Sequence, residues 1–495
     1  MKKTILALLT LLLTVTALSA EPRDIYVSPT GDDSASGSIE APYKTIRKAI
    51  ETAIAAGAGS TVYLREGTYR PTTDEIMRKG AESVYDCVYN LSKDGTADHP
   101  FTITGYEDEK AVIDLSLVKP DARVIGFYVK NSYWHLKKFD IIGIQVTQTG
   151  HTQSINVGLF GGSNCIIEQV NMHDGMGIGV YATRGSNNLV LNCDAYNNYD
   201  SVSENGAGGN CDGFGFHLNN ATHLGNVVRG CRAWRNSDDG FDLISNQSPV
   251  IFEECWAWEN GYDADMKSRG DGMGFKSGGY GMGSVKDGTI VPRNTVRNCI
   301  AWANKQNGFY ANHHLGGLNF YNNSAYANKR NYNMVCRKPL AESADAAKGE
   351  DVPGYDHNLA GNLSYAPKES GSHLVNFDSK LSRGENNTFY PTTMSVSASD
   401  FVSLDASQLK RPRKADGSLP DITFLSLQPT SALYKAEIGH AFTYDPDKTG
   451  IEELRPDEGA GCDNSDDGWW DLRGIRVDNP RQGIYIHNGV KVYVP

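Results

Sequence analysis

The chain has 495 residues, of which 21% are charged and 39% hydrophobic, and its 47 Lys and Arg against 59 Asp and Glu give a formal net charge of -12. That balance argues against a non-specific nucleic-acid binder. The 52 glycines are spread through the middle of the chain and not gathered in linkers, which leaves room for one elongated domain despite the length.

Met1 to Thr4 carry two lysines, an apolar run follows from Ile5 to about Leu18, and Ser19-Ala20 close it, the order of a secretory signal. The run is shorter than the roughly 20 residues that span a bilayer. Residues 1–20 are therefore expected to be a signal peptide, and the protein secreted, periplasmic or at the cell surface. The mature chain then keeps 45 basic and 59 acidic residues, a net charge of -14, and no later stretch could span a membrane. Next come a strand from Asp24, an amphipathic helix over Pro42 to Ala53 and a strand from Thr61, a cap for the open end of a stack.

From there a unit recurs: Asn188 to Asn198, Asn226 to Asn236, Val250 to Asn260, Asn294 to Asn304 and Asn319 to Asn328, with fainter copies at Ile166 to Asp174 and Asn358 to Ala366. Cys193, Cys231, Cys255, Cys299 and Asn323 hold the same place, so the unit advances by 38, 24, 44 and 24 residues. One turn takes about 24 residues and the long steps carry loops; such a period marks a solenoid. The units are β-branched and aromatic, without a ten-residue amphipathic stretch, so the turns are built of short strands and the fold is all-β, a parallel β-helix. In this reading Cys, Ala and the following aromatic residue point inward in columns, and Asn198, Asn236, Asn260, Asn304 and Asn328 form a corner ladder with left-handed backbone. The column makes its cysteines small packed hydrophobes; a disulfide between stacked neighbours such as Cys231 and Cys255 is the alternative. Beyond about residue 366 the repeat fades. The expected organisation is a β-helix domain over 21–445, an acidic linker over 446–467 and a small β-hairpin tail over 468–495.

Each repeat is followed by Gly and Phe: Gly215-Phe216-His217, Gly240-Phe241-Asp242, Gly274-Phe275-Lys276 and Gly308-Phe309-Tyr310. With the four Phe inward, His217, Asp242, Lys276 and Tyr310 form an outward column on rungs about 4.8 Å apart. Asp212, Asp238, Asp239 and Asp271 lie just upstream of the same strands. Singly, these acids read as solvated turn residues. Together, Asp212, Asp238, Asp239 and Asp242 repel one another unless a cation joins them, and an all-oxygen set suits Ca2+. A lysine beside that cation and partly desolvated is expected to have a depressed pKa, as a base requires.

Cys211-Asp212-Gly213-Phe214-Gly215, Asp238-Asp239-Gly240-Phe241-Asp242 and Gly272 to Gly278 around Lys276 resemble the family 9 polysaccharide lyases, and the likeness runs from about residue 24 to 440, taking in Asp400 to Ala406 and Arg411 to Pro420. The resemblance implies a single-stranded right-handed parallel β-helix, Ca2+ held by Asp212, Asp238, Asp239 and Asp242, and Lys276 as Brønsted base. It implies a Ca2+-dependent pectic polysaccharide lyase, acting on an acidic plant cell-wall polymer. Such an enzyme takes the C5 proton of a 4-linked galacturonate and expels the 4-linked sugar by β-elimination, leaving a 4,5-unsaturated product. Polygalacturonate is the expected substrate, with the rhamnogalacturonan I backbone the alternative. His217, Lys267, Arg269, Lys305 and His313 are weaker candidates for binding substrate carboxylates, each as readily an exposed loop charge; His314 is another. A monomer is expected. The rival readings are a β-helix hydrolase using Asp238 and Asp239, against which stand the missing partner motifs of that family, and a non-enzymatic glycan-binding adhesin, which would not need an asymmetric cluster of acids beside a lysine.

Overall fold

Short runs that alternate side chains every two residues, punctuated by Asn and Gly, fold as a parallel β-helix. The computed structural model describes residues 21–279, 291–338 and 349–442 and the strands Trp469–Asp471, Gly483–His487 and Val490–Val494. The expected signal peptide, the acidic linker and Cys462 lie outside the described residues. In the repeat region each turn lays one strand in an eleven-stranded sheet and two in a twenty-stranded sheet. Successive turns pair in parallel and in phase. Ala195, Ala233, Ala257, Ala301 and Ala325 form one row, and Val190, Val228, Phe252, Val296 and Phe320 another. Both rows are fully buried, and each Val or Phe so placed contributes about 1.5–3 kcal/mol by leaving water.

The end of the stack is closed as expected. Helix Ile46–Ala56 buries Ile46, Ala49, Ile50 and Ala53, its first turn capped by Thr45, whose hydroxyl accepts the Lys48 amide at 3.2 Å. The flanking strands Asp24–Val27 and Thr61–Leu64 pair in parallel.

The asparagine ladder forms at the expected residues. Side-chain amides donate to the next rung's oxygen at 3.0 Å from Asn198 to Asn236, 3.3 Å from Asn236 to Asn260, 3.0 Å from Asn260 to Asn304 and 2.9 Å from Asn304 to Asn328. The left-handed backbone does not fall on these asparagines, however. It falls one residue earlier, at Asn197, Arg235, Glu259, Ala303 and Ala327, with φ between 52° and 55°. The turn must be made there for the Asn side chain to enter the stack.

The cysteines also stack, and all eight that are described are free thiols, so the stacked disulfide is not formed. Cys231 Sγ accepts the Cys193 amide and Cys299 Sγ the Cys255 amide, both at 3.4 Å. The column continues as Asn323, Asn362 and Asn387, whose Oδ1 atoms accept the amides of Cys299, Asn323 and Asn362 at 3.0, 3.1 and 3.0 Å. Sulfur and amide oxygen serve one role at two ends of one column. Burial pushes the thiols of Cys193, Cys231 and Cys255 far above their ordinary range, which leaves them inert.

The aromatic column points the other way from expectation. An inward Ala at one position obliges the next side chain to face outward, and Tyr196, Trp234 and Trp258 stack on the outer face at 4.1 and 4.7 Å between ring centres, with His173 at 4.4 Å from Tyr196. They stay largely dry because the segment after the repeat lies over them: Trp256 and Trp258 cluster with Phe401, Leu409, Phe424, Leu427, Leu433 and Ile438. Arg413 of that segment and Arg232 of the coil both grip Asp194, at 2.5 and 2.6 Å. Burial resists the Asp194 charge, but the two guanidiniums hold its carboxyl below the usual range.

Residues 446–495 form a second unit, in which Gly483–His487 pairs antiparallel with both Trp469–Asp471 and Val490–Val494. No helix among the described residues is long and apolar enough to cross a membrane.

Candidate active site

The site lies on the outer face of the eleven-stranded sheet, and a column of glycines sets its register. A Cβ on Gly213 would lie 2.6 Å from the Gly240 carbonyl, one on Gly240 2.7 Å from the Gly274 carbonyl and one on Gly274 2.6 Å from the Gly308 carbonyl, distances no side chain tolerates. Only glycine fits where the corner turns into the strand. This aligns Phe214, Phe241, Phe275 and Phe309 inward, stacked at 5.0, 4.7 and 5.0 Å. The outward partners are Tyr181, Gly215, Asp242, Lys276, Tyr310 and Asn333.

His217 therefore does not occupy the column position expected of it; Gly215 does. The segment Gly213-Phe214-Gly215-Phe216 offers two Gly-Phe pairs, and the glycine column selects the first. His217 sits two residues on, folded back toward the space Gly215 leaves. Its Nδ1 meets the Tyr181 hydroxyl at 3.2 Å and its Nε2 stands 3.6 Å from Asp242 Oδ2.

Asp212 and Asp239 precede aligned glycines on neighbouring rungs, and Asp238 precedes Asp239. Oxygens of Asp212, Asp238 and Asp239 all lie within 4.8 Å of one another. One oxygen of each is oriented by a backbone amide from the adjoining segment: Asp212 Oδ1 accepts Asp239 N at 3.2 Å, Asp238 Oδ1 accepts Asp271 N at 2.9 Å and Asp239 Oδ1 accepts Met273 N at 2.7 Å. Asp242 stands apart from this trio. Its Oδ2 accepts from Lys276 Nζ at 3.2 Å and its Oδ1 accepts the Ile244 amide at 2.7 Å. Lys276 Nζ also lies 3.0 Å from Asp239 Oδ2, off hydrogen-bond geometry, so the lysine joins Asp242 to the trio.

All five side chains are buried: Asp239 is 0% exposed and Lys276 9%. Burial, then the neighbouring carboxylates, push Asp212 and Asp238 far up, and Asp239 rises to about 6. Burial also resists the charge of Asp242, but Lys276, with His217 and the Ile244 amide, holds it at about 2. Lys276 departs from expectation. Burial lowers its pKa, but Asp239, Asp242, Asp238 and Asp212 outweigh that and raise it well above the ordinary value. The acids hold the ammonium, where the expected depression had rested on a cation among them. A donor set of buried carboxylate oxygens, costly to ionise together and each oriented from outside, fits a hard cation such as Ca2+.

The weaker candidates divide. Lys305 donates to the Arg269 and Gly270 carbonyls and so pins the loop beside Asp238. Arg269 binds Asp263 at 2.7 Å and lies over the Tyr199 ring at 4.3 Å, tying that loop to the insertion after Asn198. Lys267 is exposed and faces Asp265 at 3.7 Å. His313 reaches Tyr310, at 2.9 Å. His314 is buried and structural, its Nδ1 accepting the Gly279 amide and its Nε2 facing the Pro292 carbonyl. Spacing does not reveal the orienting amides of Asp271 and Met273, because the 44-residue step hides which loop residue lands there.

The chain matches the family model described as Pel9A-like, right-handed beta helix region, over residues 25–349. It is 32% identical over 422 residues to pectate lyase L of Dickeya chrysanthemi, covering 84% of this chain and 86% of that protein. Among solved structures, a rhamnogalacturonan lyase aligns with TM-score 0.79 and 42% identity over 85% of this chain and 100% of the other. Pectate lyase Pel9A aligns with TM-score 0.63 and 29% identity over 83% and 90%. With the fold, the register and these matches agreeing along most of its length, the chain belongs to the family 9 polysaccharide lyases, enzymes on a right-handed parallel β-helix.

Proposed function

We propose that the protein is an exported, Ca2+-dependent lyase that cleaves a pectic backbone at a 4-linked galacturonate by β-elimination. The observation that carries the reading is Lys276 set one rung from Asp242 and against Asp239 in a buried field of four carboxylates. Asp212, Asp238 and Asp239 are the residues to hold the ion, with Asp242 completing the set once Lys276 is drawn from it. Ca2+ bound there supplies positive charge to neutralise the substrate carboxylate and the negative charge that grows at C5. The chain's own part is then proton handling. Lys276, as the free amine, takes the C5 proton. The C5–H electron pair becomes the C4–C5 double bond and the C4–O4 pair leaves with the departing sugar. Asp242 and Asp239 fix the position of Nζ.

The backbone we propose is rhamnogalacturonan I. The 42% identity to a rhamnogalacturonan lyase, matched over its whole length, supports this over polygalacturonate. Polygalacturonate remains the second reading, on the likeness to pectate lyases. Incubating the protein with each polymer, with and without chelator, tests all of this through the ultraviolet absorbance of the conjugated product. Absorbance from rhamnogalacturonan I alone, lost on chelation and restored by Ca2+, is expected; reducing ends without absorbance would sink the lyase mechanism. Export is checked by the mature N-terminus, expected near Glu21.

A further inference from the structure

The outward column continues past Lys276 to Tyr310, its parallel partner on the next rung, 8% exposed. The Tyr310 hydroxyl meets His313 Nε2 at 2.9 Å, and His313 Nδ1 meets Asp351 Oδ1 at 2.7 Å. Arg337 holds the same Asp351 oxygen at 2.9 Å. Consecutive left-handed residues, Asn312 at φ 55° and His313 at φ 57°, fold the imidazole back onto the phenol three residues before it. Non-glycine residues in that conformation cost about 1–3 kcal/mol each, and such strain clusters at functional sites. It is held by the His313 amide on the Val335 carbonyl at 3.1 Å and by Asn312 Nδ2 on the Gly278 carbonyl at 2.8 Å. Asp351 arrives separately, on a hairpin of Cys336–Lys338 with Glu350–Val352 that is not part of the coil repeat. Coil stacking needs none of this convergence on one hydroxyl.

Elimination needs an acid as well as a base, because O4 departs with an electron pair and must gain a proton. His217 is turned away to Tyr181, whose hydroxyl its Nδ1 meets at 3.2 Å, with Nε2 3.6 Å from Asp242. Resting on the assignment of Lys276 as base, we propose that Tyr310 is the general acid, giving its phenolic proton to the departing O4, and that His313, aligned by Asp351, restores it. With a proton on each ring nitrogen, His313 donates from Nδ1 to Asp351 and from Nε2 to the phenol oxygen, leaving the O–H to point at O4. As the C4–O4 bond breaks, its electron pair takes the phenolic proton. The phenolate then takes the Nε2 proton and His313 recovers one from water. Burial pushes the phenol up to about 12 against the pull of Lys276, so it keeps its proton until O4 becomes strongly basic.

The test compares the natural polymer with a galacturonide carrying a 4-nitrophenyl ether at O4, whose leaving group departs without a proton. Tyr310→Phe is expected to lower kcat on the polymer about 10²–10⁴-fold, to leave KM within about twofold and to release nitrophenolate at close to the wild-type rate. His313→Gln, acting through Tyr310, is expected to lower kcat on the polymer with an altered pH profile and to spare the ether in the same way. Full kcat of Tyr310→Phe on the polymer, or an equal loss on both substrates in a variant that melts like wild type, overturns the assignment. Lys276→Ala is expected to lose both substrates. If it keeps both while Tyr310→Phe shows the selective defect, the base assignment falls and the acid stands.

Discussion

Two outer faces of one solenoid carry side-chain columns in the same register, and they are built on opposite terms. On the twenty-stranded sheet the column repeats like upon like, with Tyr196, Trp234 and Trp258 stacked at 4.1 and 4.7 Å and then covered by the segment around Phe401 to Ile438. On the eleven-stranded sheet the column changes at every rung, from Tyr181 through Gly215, Asp242 and Lys276 to Tyr310. A coil that repeats aligns whatever it is given. Identical aromatics turn that alignment into stability, whereas unlike ionisable groups turn it into a site whose charges strain against burial. Stability and chemistry have been put on separate walls.

Breaking each wall should therefore give opposite results. The largest effect is expected from Lys276→Ala, a loss of about 10²–10⁴-fold or more in kcat, with a lower melting temperature in chelator, where the buried acids lose their ammonium, and recovery of that melting temperature on adding Ca2+, read by product absorbance and calorimetry. Trp258→Ala on the covered wall should instead cost about 3–5 kcal/mol of stability while the folded fraction keeps its kcat, measured by denaturant melts alongside assays at low temperature. Next in size is a reversal of the usual sign. Asp212→Asn removes a buried carboxylate that its neighbours repel and should raise the melting temperature of the chelated protein, by about 1 °C for each kcal/mol of repulsion removed. Wild type with Ca2+ at a hundred times its Kd should gain about 2.7 kcal/mol, a gain the variant loses. Equal melting of chelated wild type and variant would show that the acids do not strain the fold.

The smallest expected effect lies at the head of the aromatic stack. Burial disfavours the His173 charge, but Asp140 and Asp174 raise its pKa from 6.5 to about 9. A pKa raised in the folded state contributes stability in full below 6.5, and that contribution is lost as pH rises through about 9. Melting temperature should decline over that window, and His173→Phe should flatten the decline while preserving the stack.

The repeat made much of this legible. Ladder asparagines, the cysteine column and the coil period followed from spacing, because those residues recur and a solenoid turns recurrence into contact. The acids and Lys276 were legible for the same reason, each fixed by an adjoining Gly-Phe. What spacing could not give was direction and tie-breaking. The aromatic after each inward Ala faces out by alternation alone, yet its hydrophobicity reads as core until the covering segment is seen. The choice between Phe214 and Phe216 turned on glycine contacts between coils, which no single coil contains. The meeting of Tyr310, His313 and Asp351 depends on a hairpin outside the repeat, and the grip of Arg413 on Asp194 joins residues 219 apart.

The covering segment follows all the coils it covers. Until residues 394–442 have emerged, coils that are otherwise complete present a ladder of stacked rings to their surroundings, an apolar strip of the kind that recruits other chains. Assembly of this wall is thus ordered by synthesis: the face that carries Lys276 can form as its own coils close, whereas the aromatic face must wait. A chain truncated before residue 394 should carry a formed site and fail through aggregation, so that residues 394–442 act as the chain's own protection against self-association.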